Sequence, residues 1–426
     1  MLGHLLRSKG PLNIVRRGPA IVERVGLTPG QMVQLLHAFT ALLARYDAPV
    51  TFPVPALTLR RNPKVLQALA TGSARLELAV HGYRHVDMSL LPPAAQAAEL
   101  RRARALFTAT RTPFTGFRAP YLRWDESLIA ALGEAGFTYD SSRSALWPVV
   151  NLATLAPAQA AKARLLLDFC RPQPAEAVPV LPSWVDGLLE LPVSFPDDEM
   201  LVERLDLTQG PQQAALWLAA FEQCHARGEM FVLQLHPERF FLCAEALEAV
   251  LTRAHAARPA VWLATLGDIA AWWQEKRACR VALARTEAGR WLVRAEGPAR
   301  ASLQVRANDT SQARYQPAPG RDFVLGADAC PCVGVSPAAS PALAQFLATE
   351  GYAVVMTDRP GDCTVFVAQT NFSAEDALAV LAHVEASSGP LVRFARWPDD
   401  AQSVLAVTGD IDSLTVWDYA LRLVGA

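Results

Sequence analysis

From residue 28 to residue 276, short apolar runs alternate with amphipathic helical patterns, and this order confines the region to a sheet or barrel of parallel βα units. In TPGQMVQLLHAFTALLARY, Thr28 is placed as N-cap, Pro29 at the first helical position and Gln31 three residues past the cap. Met32, Leu35, Leu36, Phe39, Leu42 and Leu43 follow at helical spacing, which predicts a core-facing helix. APVTFPV (48–54) reads as a strand, 63–71 as a helix and LELAV (76–80) as a second strand. Helical patterns follow near 93–109 and 125–135, the second starting at Asp125 and stopping at Gly136 as caps direct. Residues 143–200 are rich in Pro and Ala and read as a long loop with short elements. A helix near 211–227, the strand MFVLQL, a helix near 244–257, the run AVWLAT and the helix start GDIAAWWQEK complete the region.

The texture then changes. RVALARTEAGRWLVRAEGPARASLQVRA alternates apolar and polar residues between Gly-containing turns, the pattern of a small antiparallel β unit. Strand and helix patterns resume at VGVS, ALAQFLATEGY, AVVMT and AEDALAVLAHVEA, before the chain closes with SVLAVTGDIDSLTVWDYALRLVGA. The expected division is a βα body over 1–276, a β unit over 277–326, a small α/β domain over 327–400 and a closing strand and loop over 401–426. A chain of 426 residues suits such a division, at about 100 to 200 residues per domain.

With 40 basic and 41 acidic residues, the net charge of −1 offers no whole-chain attraction to nucleic acid or an anionic membrane. The sequence contains no apolar run of membrane-spanning length, and the start MLGHLLRSKGPLNIVRR lacks the features of a secretory signal, so a soluble, cytoplasmic protein is expected. Seven scattered cysteines do not make a disulfide framework, and Cys330-Pro-Cys332 is spaced more tightly than CxxC.

Chemistry enters at HGYRH, directly after LELAV. His81 and His85, four residues apart on one turn or tight loop, can face one ion, but alone they read more readily as two partly exposed histidines at a strand end. Three further stretches carry polar residues at strand ends: Arg118, Pro120 and Tyr121 in GFRAPYLRW, His236 in FVLQLHPER, and Asp410 and Asp412 in AVTGDID. In a parallel barrel these ends share one face, where active sites are built. A second GDI, at 267–269, opens a helix and suits Asp268 for capping.

With these pieces in place, the first region resembles the polysaccharide deacetylases, the carbohydrate esterases with a NodB-homology domain. Residues 28–275 carry the family's HxxxH, RxPY and LxH motifs in order, whereas its aspartate motif, normally first, stands at the C-terminus as TGDID. The resemblance implies a distorted (β/α) barrel, circularly permuted, so that joining Ala426 to Met1 would restore the usual order. It implies a divalent cation held by Asp412, His81 and His85, with Zn²⁺ first and Co²⁺ or a similar ion second. Two imidazoles and a carboxylate leave an open position on tetrahedral Zn²⁺, as catalytic sites require.

By the same resemblance Asp410 is the general base, Arg118 its partner, Tyr121 N–H an oxyanion donor and His236 the acid that protonates the departing amine. Asp140, in YDSS, is a candidate for orienting that histidine and stays unassigned. Gly409 replaces the aromatic residue common before the first aspartate, and one residue separates the two aspartates. The implied activity is removal of acetyl groups from an N-acetylated sugar or glycan. Hydrolysis of a small non-sugar amide, or an inactive glycan-binding or regulatory protein, are the alternatives. The feature that separates enzyme from inactive relative is whether the TGDID strand inserts beside APVTFPV. Cys224, His225 and His255 fall on expected helices, while His4, His37 and His383 carry no ligand pattern.

Overall fold

The computed structural model describes residues 25–63, 65, 69, 74–306 and 315–424. The helix expected over 63–71 falls largely outside them, as does His4.

The body is built on a 12-stranded sheet. Its strands in chain order are β1 (Val50–Val54), β2 (Leu76–Val80), β3 (Gly116–Phe117), β4 (Tyr139–Asp140), β5 (Ser144–Leu146), β6 (Gln173–Pro174), β7 (Ser183–Val185), β8 (Leu188–Glu190), β9 (Val193–Phe195), β10 (Met230–Leu235), β11 (Val261–Leu263) and β21 (Ser403–Gly409). They lie in the spatial order β6-β5-β9-β10-β21-β1-β2-β3-β4-β8-β7, with β11 also on β21. The β7–β8 hairpin is antiparallel and the other pairings are parallel. The sheet curls into a distorted, half-closed (β/α) barrel.

The last strand holds the centre of this sheet. In β21 Ala406 pairs with Val232 of β10, Val407 with Val50 of β1, and Leu405 with Leu263 of β11. All seven of its residues are buried, which explains the unbroken run SVLAV: a parallel strand covered on both faces has no solvent side to make polar.

Helix α1 (Pro29–Ala44) packs Met32, Leu35, Leu36, Phe39, Leu42 and Leu43 into the core. Thr28 is its N-cap by position, but its side chain makes no capping hydrogen bond. Asp125 does cap the helix Glu126–Glu134, accepting from Leu128 N. The helix Leu266–Lys276 opens on a reciprocal capping box between Thr265 and Asp268, so the GDI at 267–269 serves a helix start. The loop expected over 143–200 contains a 14-residue helix, Pro157–Cys170. Its Ala-rich stretch buries only Ala160, Ala163 and Leu166, too narrow a face to show as apolar periodicity.

The inserted segment departs from the expected division. Strands β12 (Arg280–Arg285), β13 (Trp291–Glu296) and β16 (Asp322–Leu325) form an antiparallel sheet. Strands β17 (Cys330–Val335), β18 (Val354–Met356) and β19 (Cys363–Val367) form a parallel one. A third sheet crosses the boundary at 326, because β14 (Leu303–Arg306) pairs with both β15 (Gln316–Pro317) and β20 (Leu391–Phe394). Local alternation marks a strand but not its neighbour, so this join was invisible in the sequence. No helix among the described residues is long and apolar enough to cross a membrane.

Gly409 ends β21 in a filled part of the core. A Cβ there would stand 2.6 Å from the Phe52 ring and 3.0 Å from that of Phe39, two rings that meet edge to face. Gly409→Ala is therefore expected to lower stability by about 1–3 kcal/mol, the range for overpacking a filled core. Urea unfolding checks this, and an unchanged midpoint would contradict it.

Candidate active site

The parallel strands deliver their polar residues to one edge because the hydrogen-bond ladder runs one step past the strands. His81 N donates to Val54 O, Arg118 N to Val80 O, Asp410 N to Leu235 O and Ile411 N to Pro53 O. His81, Arg118, His236, Asp410 and Asp412 thus follow the carboxyl ends of β2, β3, β10 and β21. Each of the stretches HGYRH, RAPY, LHP and TGDID reaches this edge of the sheet.

His81, His85 and Asp412 place one ligand atom each within 4.8 Å of the others. The Asp412 Oδ1 atom is 3.5 Å from His81 Nε2 and 3.0 Å from His85 Nε2. Two ligands at about 2.1 Å from a tetrahedral cation stand about 3.4 Å apart, so the trio fits a cation of zinc size. The backbone turns sharply here at Gly82, φ +80°, where a Cβ would meet Arg84 O at 2.8 Å. His81 Nδ1 lies 2.8 Å from Arg118 O. A carbonyl only accepts, so Nδ1 carries the proton and the Nε2 lone pair is left for a cation. The ring of His85 meets that of Tyr121 edge-on at 4.5 Å. Tyr121 and Leu122 both have left-handed backbone, φ 63° and 54°, a costly conformation for residues with side chains and one concentrated at functional turns.

Asp410 is held on both carboxylate oxygens. Arg118 Nη1 donates to Oδ1 at 2.6 Å and Gln234 Nε2 to Oδ2 at 3.0 Å. Arg118 is wholly buried, and its other donors reach Thr408 Oγ1, Ser141 O and Ser141 Oγ at 2.8, 3.0 and 2.9 Å. Four of the five guanidinium N–H donors are thereby committed.

Asp140 belongs to a different network from the one for which it was a candidate. It accepts from Ser142 Oγ at 2.6 Å, and Ser142 Oγ in turn accepts from Ala119 N, bracing the turn that carries Arg118. Burial raises the pKa of both Asp140 and Glu190, and the charge of Asp140 pushes Glu190 up further.

The residue that orients His236 is Asp198, in FPDDEM. Its Oδ1 lies 2.8 Å from His236 Nδ1, and its Oδ2 accepts from His236 N at 2.7 Å and from Arg239 at 3.4 Å. Burial alone would lower the pKa of His236, but the Asp198 carboxylate overrides it and holds the imidazole up at about 10. For Asp198 burial works upward, and His236 and Arg239 bring the net shift down.

Sequence reading missed Asp198, Gln234, Thr408 and Ser141. Two of them had a signal: Gln234 and Thr408 stand two residues before His236 and Asp410, and residues two apart on a strand share a face. For Asp198, in the helical turn that leads into Met200–Arg204, only an acidic pair following a short apolar run hinted at a role.

Residues 26–139 match the family model described as polysaccharide deacetylase. The peptidoglycan deacetylase-like protein FGM2 of Gibberella zeae is 35% identical over 96 residues, which span 22% of this chain and 28% of that relative. Among solved structures, a putative polysaccharide deacetylase from Mycobacterium smegmatis is similar at a TM-score of 0.44 and 23% identity, covering 64% of this chain and 90% of its own. A probable polysaccharide deacetylase from Pseudomonas aeruginosa PAO1 is similar at 0.44 and 21%, covering 57% and 72%. The family match thus covers residues 26–139, the stretch that carries His81, His85, Arg118 and Tyr121.

Proposed function

We propose that this chain is a metal-dependent amide hydrolase that removes acetyl groups from an N-acetylated sugar or glycan. The observation that carries the reading is the convergence of two imidazole nitrogens and one carboxylate oxygen on a single point, with an arginine-held carboxylate two residues from that ligand. The ligands are His81, His85 and Asp412, and the donor set suits Zn²⁺ or a similar divalent ion. When bound, such an ion supplies Lewis acidity toward a carbonyl oxygen and makes water more acidic.

Asp410 accepts the proton of the attacking water, and Arg118 and Gln234 aim it. The N–H of Tyr121 donates to the carbonyl oxygen as negative charge develops there. His236, kept protonated through neutral pH by Asp198, gives a proton to the departing nitrogen, which is too basic to leave as an anion.

The test is acetate release from a panel of N-acetylated sugars before and after removal of divalent ions by a chelator. Release is expected from the loaded protein, loss on chelation and recovery on adding Zn²⁺. Undiminished release from a metal-free protein, or no release from any member of the panel, would overturn the reading.

Asp198→Asn separates the orienting role from the rest of the site. Without the carboxylate the His236 pKa falls, so the alkaline limb of the rate profile moves to lower pH, and kcat is expected to drop by about 10²–10⁴. The pair also stabilises the fold. Because the His236 pKa is raised, its share is full below the unfolded value near 6.5 and is lost as pH rises through about 10. Because the Asp198 pKa is lowered, its share is present above the unfolded value of about 3.9 and is lost in acid. Thermal midpoints across pH should therefore show the largest gap between wild type and variant near neutrality.

A further inference from the structure

Strand β17 opens on Cys330-Pro-Cys332, a spacing too tight for the usual zinc or redox pairs. In the fold these cysteines face Cys363, the first residue of the neighbouring parallel strand β19. Cys330 stands opposite Cys363 in the ladder, and the register slips between Cys330 and Val333. The irregularity turns Cys332 toward the same partner, and its sulfur lies 3.3 Å from that of Cys363. Together with Ala353 the three cysteines form a buried cluster of their own, apart from the hydrophobic core of the inserted unit. All three are free thiols.

The sulfurs of Cys332 and Cys363 already stand 3.3 Å apart, so a disulfide of about 2.05 Å needs them to approach by only about 1.3 Å. Access is graded: Cys332 is sealed at 0% exposure, whereas Cys363 keeps 7% and directly follows the exposed turn Arg359–Asp362.

We propose that Cys332 and Cys363 form a peroxide-oxidisable site that closes a disulfide between β17 and β19. Hydrogen peroxide, small and uncharged, reaches Cys363 from the turn. The sulfur takes one oxygen as the O–O bond breaks, giving a sulfenic acid and one water. The Cys332 sulfur then attacks that of Cys363, the S–O bond breaks, and a second water leaves with the Cys332 proton. Two thiols are oxidised to one disulfide and one peroxide is reduced to two waters. The bridge closes a loop that carries β18 and the helix Pro341–Glu350, and so braces the inserted unit.

The experiment treats the full-length protein with hydrogen peroxide, blocks remaining thiols by alkylation and maps the peptides by mass spectrometry without reduction. A peptide pair joined through Cys332 and Cys363 is expected, lost on adding a reductant and still formed in Cys330→Ser. Oxidation should raise the thermal midpoint of the wild type and leave that of Cys363→Ala unmoved, with Cys332→Ser as a second variant if the first fails to fold. Separate oxidation of the two cysteines to sulfinic or sulfonic acids would overturn the proposal. So would alkylation of both after exposure, or a bridge between other cysteines. The wild-type map decides the matter without any variant.

Discussion

Asp410→Asn is expected to bring acetate release down by about 10²–10⁴, the usual share of a general base, while the bound cation remains. The substitution keeps the shape of the side chain and removes its ability to accept a proton. Its new oxygen can still receive Arg118 Nη1, and its new NH₂ faces Gln234, whose amide can turn to offer an oxygen instead. Arg118 keeps Thr408 and Ser141 as acceptors, which limits the structural damage. The ligand trio is untouched, so metal content measured by atomic emission should stay close to that of the wild type. A variant that hydrolyses at the wild-type rate would remove Asp410 from the mechanism. One that loses its cation along with its activity would show Asp410 acting on the site's structure.

Arg118→Leu is expected to have the largest effect on stability, a loss of about 3–5 kcal/mol, because it strands a buried carboxylate with no counter-charge. Arg118 is fully buried and Asp410 only 2% exposed, so water does little to compensate. Replacing both residues with leucine should recover much of the loss, since an apolar pair of similar volume is often as stable as the ion pair it replaces. Denaturant unfolding of both single variants and the double variant forms the cycle. Additive losses would mean that the 2.6 Å contact contributes no coupling. Gln234, Ser141 and Thr408 also lose a charged partner in the single Arg118 variant or its cycle mate, so the recovery is expected to be partial.

Much of the architecture could be read from local pattern. The helix Pro29–Ala44 follows from Pro29 and six core residues at helical spacing, and the helix Glu126–Glu134 from Asp125. The helix Pro157–Cys170 could not be read, because its buried face is only two alanines and one leucine. Asp140 was considered as a partner of His236 from its place in YDSS, but the partner is Asp198, on a segment with no regular pattern to announce its direction. The sheet joining β14 to β20 escaped for a related reason, as nothing in either strand names the other.

By itself the sequence determined where β1, β2 and β10 end and where the helices Pro29–Ala44 and Glu126–Glu134 begin, since period and capping are properties of a few neighbouring residues. It also supplied the chemical types, imidazoles after one strand and carboxylates after another. Only the tertiary structure decided that these meet. Arg118 and Asp410 lie 292 positions apart and touch because β21 hydrogen-bonds between β10 and β1. Pairing between distant strands is selected by the whole core, and the entropy of closing so long a loop grows only with the logarithm of its length, so the packed sheet can choose a partner from anywhere in the chain.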